Sequence, residues 1–157
     1  MATNNSGADV NKEARVTNLV LIATIAGERV AIDAAVIEAV VDLWQVVPVP
    51  LAAEHVIGVA AVRSRVLTVI DAAAAVGLRA KATGNRAIVI DASGHRYALR
   101  VDAIAEVVAP SSAVLPFDGQ VGDNWRAVAI GIIDTSYGFA VLIDPSLMLA
   151  GSLAEVA

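Results

Sequence analysis

Cysteine is absent from the chain, so neither a disulfide framework nor a thiolate metal site can form, and this usage fits a reducing compartment. Histidine is nearly as scarce. His55 and His95 are the two present, and neither stands at metal-ligand spacing from the other or from a pair of carboxylates. No Gly-rich phosphate loop, dinucleotide fingerprint or nucleophile elbow occurs. No metal, cofactor or catalytic group is therefore expected, and an enzyme is the disfavoured reading. Basic residues number 11 against 16 acidic ones, a net charge of −5, which argues against nucleic acid and against an anionic membrane surface as partners. No apolar run approaches the ~18 residues of a membrane span, because Glu38, Asp42 and Glu54 interrupt the greasiest region. The stretch MATNNSGADVNKEAR lacks the charged-then-apolar layout of a signal peptide. A cytoplasmic protein without membrane insertion is expected, and residues 1–16 read as a disordered tail.

Apolar material, by contrast, is abundant. Hydrophobic residues make up 57% of the 157 positions and charged ones 17%, so a sizeable core is assured while little polar surface is left to coat it. That balance points to a lasting partner or to self-association. From residue 17 onward, short apolar runs alternate with turn signals: VTNLVLIATIAG, ERVAID, VVPVP, GVAAV, VLTVID, RAIVID, RYALRV, VAIGII and FAVLID. Each is of strand length and rich in Val, Ile and Leu. Several lack clean period-two alternation, which predicts strands covered on both faces. The gaps are too short for the crossover helices of a parallel α/β sheet, so packed antiparallel barrels are the better expectation.

The chain also resembles itself. VLIATIAGERVAIDAAVIEAVV (20–41) lies over AIVIDASGHRYALRVDAIAEVV (87–108) without a gap, placing Gly27 on Gly94, Arg29 on Arg96 and Ile37 on Ile104. Further along, Ile57-Gly58-Val59 corresponds to Ile130-Gly131-Ile132, and Ile70-Asp71 to Ile143-Asp144. A duplicated unit is expected, with its joint in the basic, turn-rich stretch RAKATGN (79–85). Each half closes on an aspartate before a short helical run, Asp71 before AAAAVG and Asp144 before PSLMLAG. Both aspartates read as helix N-caps rather than catalytic acids.

The run PLAAEHVIGVAAVRSRVLTVIDAAAAVGL (50–78) resembles the CheW family of bacterial chemotaxis adaptors. Pro50, Gly58, Val59, Val62, Arg63, Val69, Ile70 and Asp71 fall on the family's P-x-x-P-x-ϕ-ϕ-x-G-ϕ-x-N-ϕ-R-G-x-ϕ-x-P-ϕ-ϕ-D pattern, ϕ being apolar. LVLIATIAGERVAID (19–33), RYALRVDAIAEVV (96–108) and the closing AIGIIDTSYGFAVLIDPSLML extend the resemblance over nearly all of 17–157. The N-L-R-G motif diverges, reading Ala61-Val62-Arg63-Ser64, while Ala53 and Thr68 replace two prolines. The family's V-x-E-V glutamate falls on Ala39, with Glu38 one residue early. A one-residue shift would make Glu38 the partner of Arg63.

The resemblance implies a mainly all-β fold of two intertwined, pseudo-symmetric SH3-like five-stranded barrels with short capping helices. It further implies a non-enzymatic adaptor that couples the cytoplasmic tip of methyl-accepting chemoreceptors to the regulatory domain of a CheA-type histidine kinase, recruited to membrane-associated arrays. Arg63, Val62, Ser64, Val36, Glu38 and Gly58 are the implied interface residues. Two alternatives stay open: an SH3-like interaction or small-ligand module outside chemotaxis, and a divergent paralogue in a non-motility array.

Overall fold

Ten strands and four short helical segments follow from these patterns in the computed structural model, which describes residues 19–78, 84–117 and 122–149. The expected tail (1–16) and residues 79–83 of the expected joint lie outside the described residues. The strands are β1 (Val20–Ile25), β2 (Glu28–Asp33), β3 (Ile37–Asp42), β4 (Val56–Val62), β5 (Arg65–Asp71), β6 (Arg86–Ala92), β7 (His95–Arg100), β8 (Ala103–Val108), β9 (Ala129–Thr135) and β10 (Gly138–Ile143). They form two five-stranded sheets in the orders β8-β1-β2-β10-β9 and β3-β6-β7-β5-β4. Exchanging β1–β5 for β6–β10 turns one order into the other. Each sheet takes strands from both halves of the chain, so the halves are intertwined. Among the described residues the parallel pairings are the matching β2–β10 and β5–β7 ladders.

Burial on both faces explains the missing alternation. Leu21, Ala23 and Ile25 of β1 enter a core shared by the two sheets, together with Ile70, Ile88, Ile90, Leu99 and Trp125. Their neighbours Val20 and Ile22 enter a smaller core enclosed by the first sheet. In β6 the same division holds: Ile88 and Ile90 face the shared core, Ala87 and Val89 the second sheet's own. A strand with core on both sides shows a continuous apolar run.

Neither sheet closes by a continuous ladder, in contrast to the barrels expected. The segments after β3 and β8 run to the opposite edge and make one bridge each, Val47↔Val59 and Leu115↔Ile132. VVPVP, expected as a strand, contributes only this contact, because Pro48 and Pro50 have no N–H to donate to a ladder. Pro116 follows the bridging Leu115 as Pro48 follows Val47. At both crossings a glycine lies beneath the bridging backbone. A Cβ on Gly58 would overlap the Val47 carbonyl, and one on Gly131 would overlap Leu115 O and the Val114 side chain.

The Asp71 carboxylate accepts N–H bonds from Ala73 (3.0 Å) and Ala74 (3.5 Å) at the start of the helical turn Ala72–Ala75. That turn ends with Gly77 N bonded to Ala74 O and Leu78 N to Ala73 O, a Schellman pattern in which Gly77 takes φ +79°. Asp144 accepts from Ser146 N (3.0 Å) and Ser146 Oγ (2.6 Å) at the head of the 3₁₀ segment Pro145–Leu149.

Candidate functional site

Three two-residue hairpin tips carry left-handed backbone. Ala26-Gly27 and Ser93-Gly94 occupy equivalent places in β1–β2 and β6–β7, with φ of 52° and 82° in one and 55° and 85° in the other. Left-handed φ at both central positions is the turn geometry that matches strand twist, and glycine relieves half of its cost. Arg63-Ser64, between β4 and β5, adopts the same geometry (φ 50° and 68°) with no glycine. Left-handed backbone costs roughly 1–2 kcal/mol per non-glycine residue, so this tip is held by its surroundings rather than by its own preference.

Beside the tip is a pocket of about 370 Å³, lined by Glu38, Ala39 and Val41 from β3, Val62, Arg63, Arg65 and Leu67 from the hairpin, Val89 and Arg96. Arg96 Nε donates to Glu38 Oε2 at 2.7 Å. Glu38 thus pairs with Arg96, not with the Arg63 that a one-residue shift would have given it. The cause is a β-bulge: β3 advances two residues from Ile37 to Ala39 while β6 advances one, from Ile90 to Val89. Glu38 is the extra residue, and a bulge re-aims the side chain it carries. Among the described residues no carboxylate lies within ion-pair distance of Arg63 or Arg65.

Arg63 and Val62 also line a second, larger cleft of about 580 Å³ between Asp42, Trp44, Val47, Val59 and Val66. Its apolar walls are unusually bare: Trp44 is 85% exposed and Val66 72%. The two tryptophans thus have opposite fates, since Trp125 is buried in the shared core. On the first sheet Leu115, Ile130, Tyr137 and Phe139 are exposed, with Leu115 and Phe139 at the places of Val47 and Val66.

Of the residues singled out from the sequence, Glu38, Val62 and Arg63 meet around one pocket. Ser64 is exposed at the tip, Val36 is exposed in the 3₁₀ segment Ala34–Val36, and Gly58 is buried under Val47. Arg65 and Arg96 were not among the implied interface residues. The signal for Arg65 was its spacing, because Arg65 and Leu67 share a face of β5. His95 is exposed and meets Tyr97 edge-on at 6.5 Å. Among the described residues no acidic or histidine cluster could hold a metal ion, and no helix is long and apolar enough to cross a membrane.

The sequence model of the CheW-like domain matches residues 19–152. No curated protein sequence matches the chain. Among solved structures, the scaffolding protein TtCheW from Thermoanaerobacter tengcongensis shares the fold, with a TM-score of 0.71 at 22% identity over 82% of this chain and 89% of that one.

Proposed function

Because the chain belongs to the CheW-like domain family, we propose that it is a non-enzymatic chemotaxis adaptor, working in the cytoplasm between the regulatory domain of a CheA-type histidine kinase and the cytoplasmic tip of methyl-accepting chemoreceptors. The observation that carries this reading is the pair of exposed apolar rims, Trp44, Val47 and Val66 on one sheet and Leu115, Ile130 and Phe139 on the other. Apolar surface of this extent marks a place where a partner docks. Two such rims, which share the equivalent pairs Val47/Leu115 and Val66/Phe139, suit a protein that holds more than one partner. Each sheet is read as an SH3-like barrel whose rim is its docking end, with Arg63 at the edge of the Trp44 cleft.

Sedimentation with receptor tips and the kinase tests the proposal. The expected outcome is that the protein pellets with both. Failure to pellet with either, at low and at moderate salt, overturns it.

A further inference from the structure

Three guanidinium groups and one carboxylate line the Glu38 pocket, a local charge of +2 in a chain whose net charge is −5. Three arginines of the second sheet already have acceptors. Arg86 reaches Asp42 at 3.5 Å, Arg100 donates to Gly84 O at 2.8 Å, and Arg96 holds Glu38. Among the described residues Arg63 and Arg65 are the exceptions: Arg63 opens the two-residue tip and Arg65 follows it. The tip keeps Arg63 in a left-handed conformation that glycine or asparagine would adopt more easily. Such strain survives where the surrounding structure imposes it, and it clusters at binding sites. Below the arginines the wall is apolar, formed by Val41, Val62, Leu67 and Val89.

We propose that this pocket binds an oxyanion, a carboxylate or phosphate gripped by Arg63 and Arg65, with any apolar body resting on Val41, Val62, Leu67 and Val89. Guanidinium forks match planar carboxylate and phosphate oxygens with paired N–H bonds. The anion comes either from a free small molecule or from the acidic side chain of a docked protein; the recognition chemistry is shared. The inference needs only the pocket and holds whether or not the adaptor reading does.

Side-chain NMR on the isolated protein tests it through the arginine Nε–H signals. The probes are benzoate, inorganic phosphate and N-acetylglutamate amide, each against chloride at equal ionic strength. Saturable shifts of Arg63 and Arg65 with benzoate or phosphate support the site and assign it to free anions. Saturation with the glutamate amide alone supports it and assigns it to a partner's side chain. Shifts that match chloride for all three probes overturn it. Arg63→Ala and Arg65→Ala should each weaken binding about tenfold, as expected for one charge-assisted hydrogen bond. Arg29→Ala, at the equivalent of Arg96 on the other sheet, should leave it unchanged. Unaltered affinity in both pocket variants, with backbone spectra showing intact folds, also overturns the proposal.

Discussion

The β4–β5 hairpin and the β9–β10 hairpin hold the same place in their two sheets, yet they end in different chemistry. The first turns through Arg63-Ser64 in left-handed backbone and presents two guanidinium groups that have no carboxylate partner among the described residues. The second turns through Ser136-Tyr137, with positive φ only at Gly138. There Thr135 Oγ1 accepts from Tyr137 N at 3.1 Å and donates to Gly138 O at 2.8 Å, so the turn is satisfied locally. Arg29, the counterpart of Arg96, gives its Nη1 to Phe139 O at 3.3 Å, and the Tyr137 hydroxyl faces Glu106. The difference teaches that the repeated framework fixes where a rim lies, while a few tip residues decide what it can hold.

The framework itself is the easiest thing to break. Gly58→Ala should destabilise the fold by about 3 kcal/mol, because the new methyl meets unyielding backbone. Gly131→Ala should cost less, since one of its two obstacles is the movable Val114 side chain. Thermal melts of the two variants measure the difference; equal losses would mean that the two crossings are mechanically alike.

Charge at the tips comes next in size. Arg63→Glu should weaken binding to the kinase regulatory domain at least about tenfold, with circular dichroism and melting temperature unchanged because Arg63 is exposed. Ser136→Glu is the mirror substitution and should leave that binding intact. Equal losses from both would erase the distinction between the rims.

Strain provides a subtler contrast. Ser64→Gly should stabilise the protein by about 0.5–1 kcal/mol in denaturant unfolding, relieving a left-handed residue against some gain in unfolded-state entropy. Tyr137→Gly has no such strain to relieve and should destabilise.

The smallest effect is one of alkaline pH. Both tyrosines ionise above the ordinary 10.0, Tyr97 through burial and Tyr137 first through its hydrogen bond to Glu106, with burial and the Glu106 charge adding. An unfolded phenol ionises earlier, so the stabilising contribution is complete below about pH 10 and is lost as the pH rises through the folded values. Phenolate absorbance should show Glu106→Gln moving Tyr137 back toward its ordinary range while Tyr97 stays put.

Much of the framework was readable from residue order. The six-residue runs VLIATI and RAIVID carry apolar side chains on both faces, and they became two-faced strands. The glycine pairs at 27 and 94 and at 58 and 131 matched as repeats, and the structure makes the first pair turns and the second crossings. IEAVVD and AIAEVV were not read as strands, because their charged residues left strand and helix equally open. They became the edge strands β3 and β8, where one face is free to carry Glu38, Asp42 or Glu106. VVPVP had the composition of a strand but lacked the donors.

The site was less legible than the fold. Glu38 and Arg96 are 58 positions apart, and a single bulged residue decides that they meet. The exposure of Trp44 against the burial of Trp125 has no local signature either. What the sequence determined alone were properties set by neighbouring residues: strand periodicity, helix punctuation at Asp71 and Gly77, and the low donor capacity of the proline segments. Tertiary structure decided which arginine takes Glu38, which tryptophan stays bare, and that Arg63 and Arg65 are left over at one pocket. Those outcomes depend on register between strands from opposite halves of the chain, and a one-residue shift in register moves a side chain to the other face of a sheet.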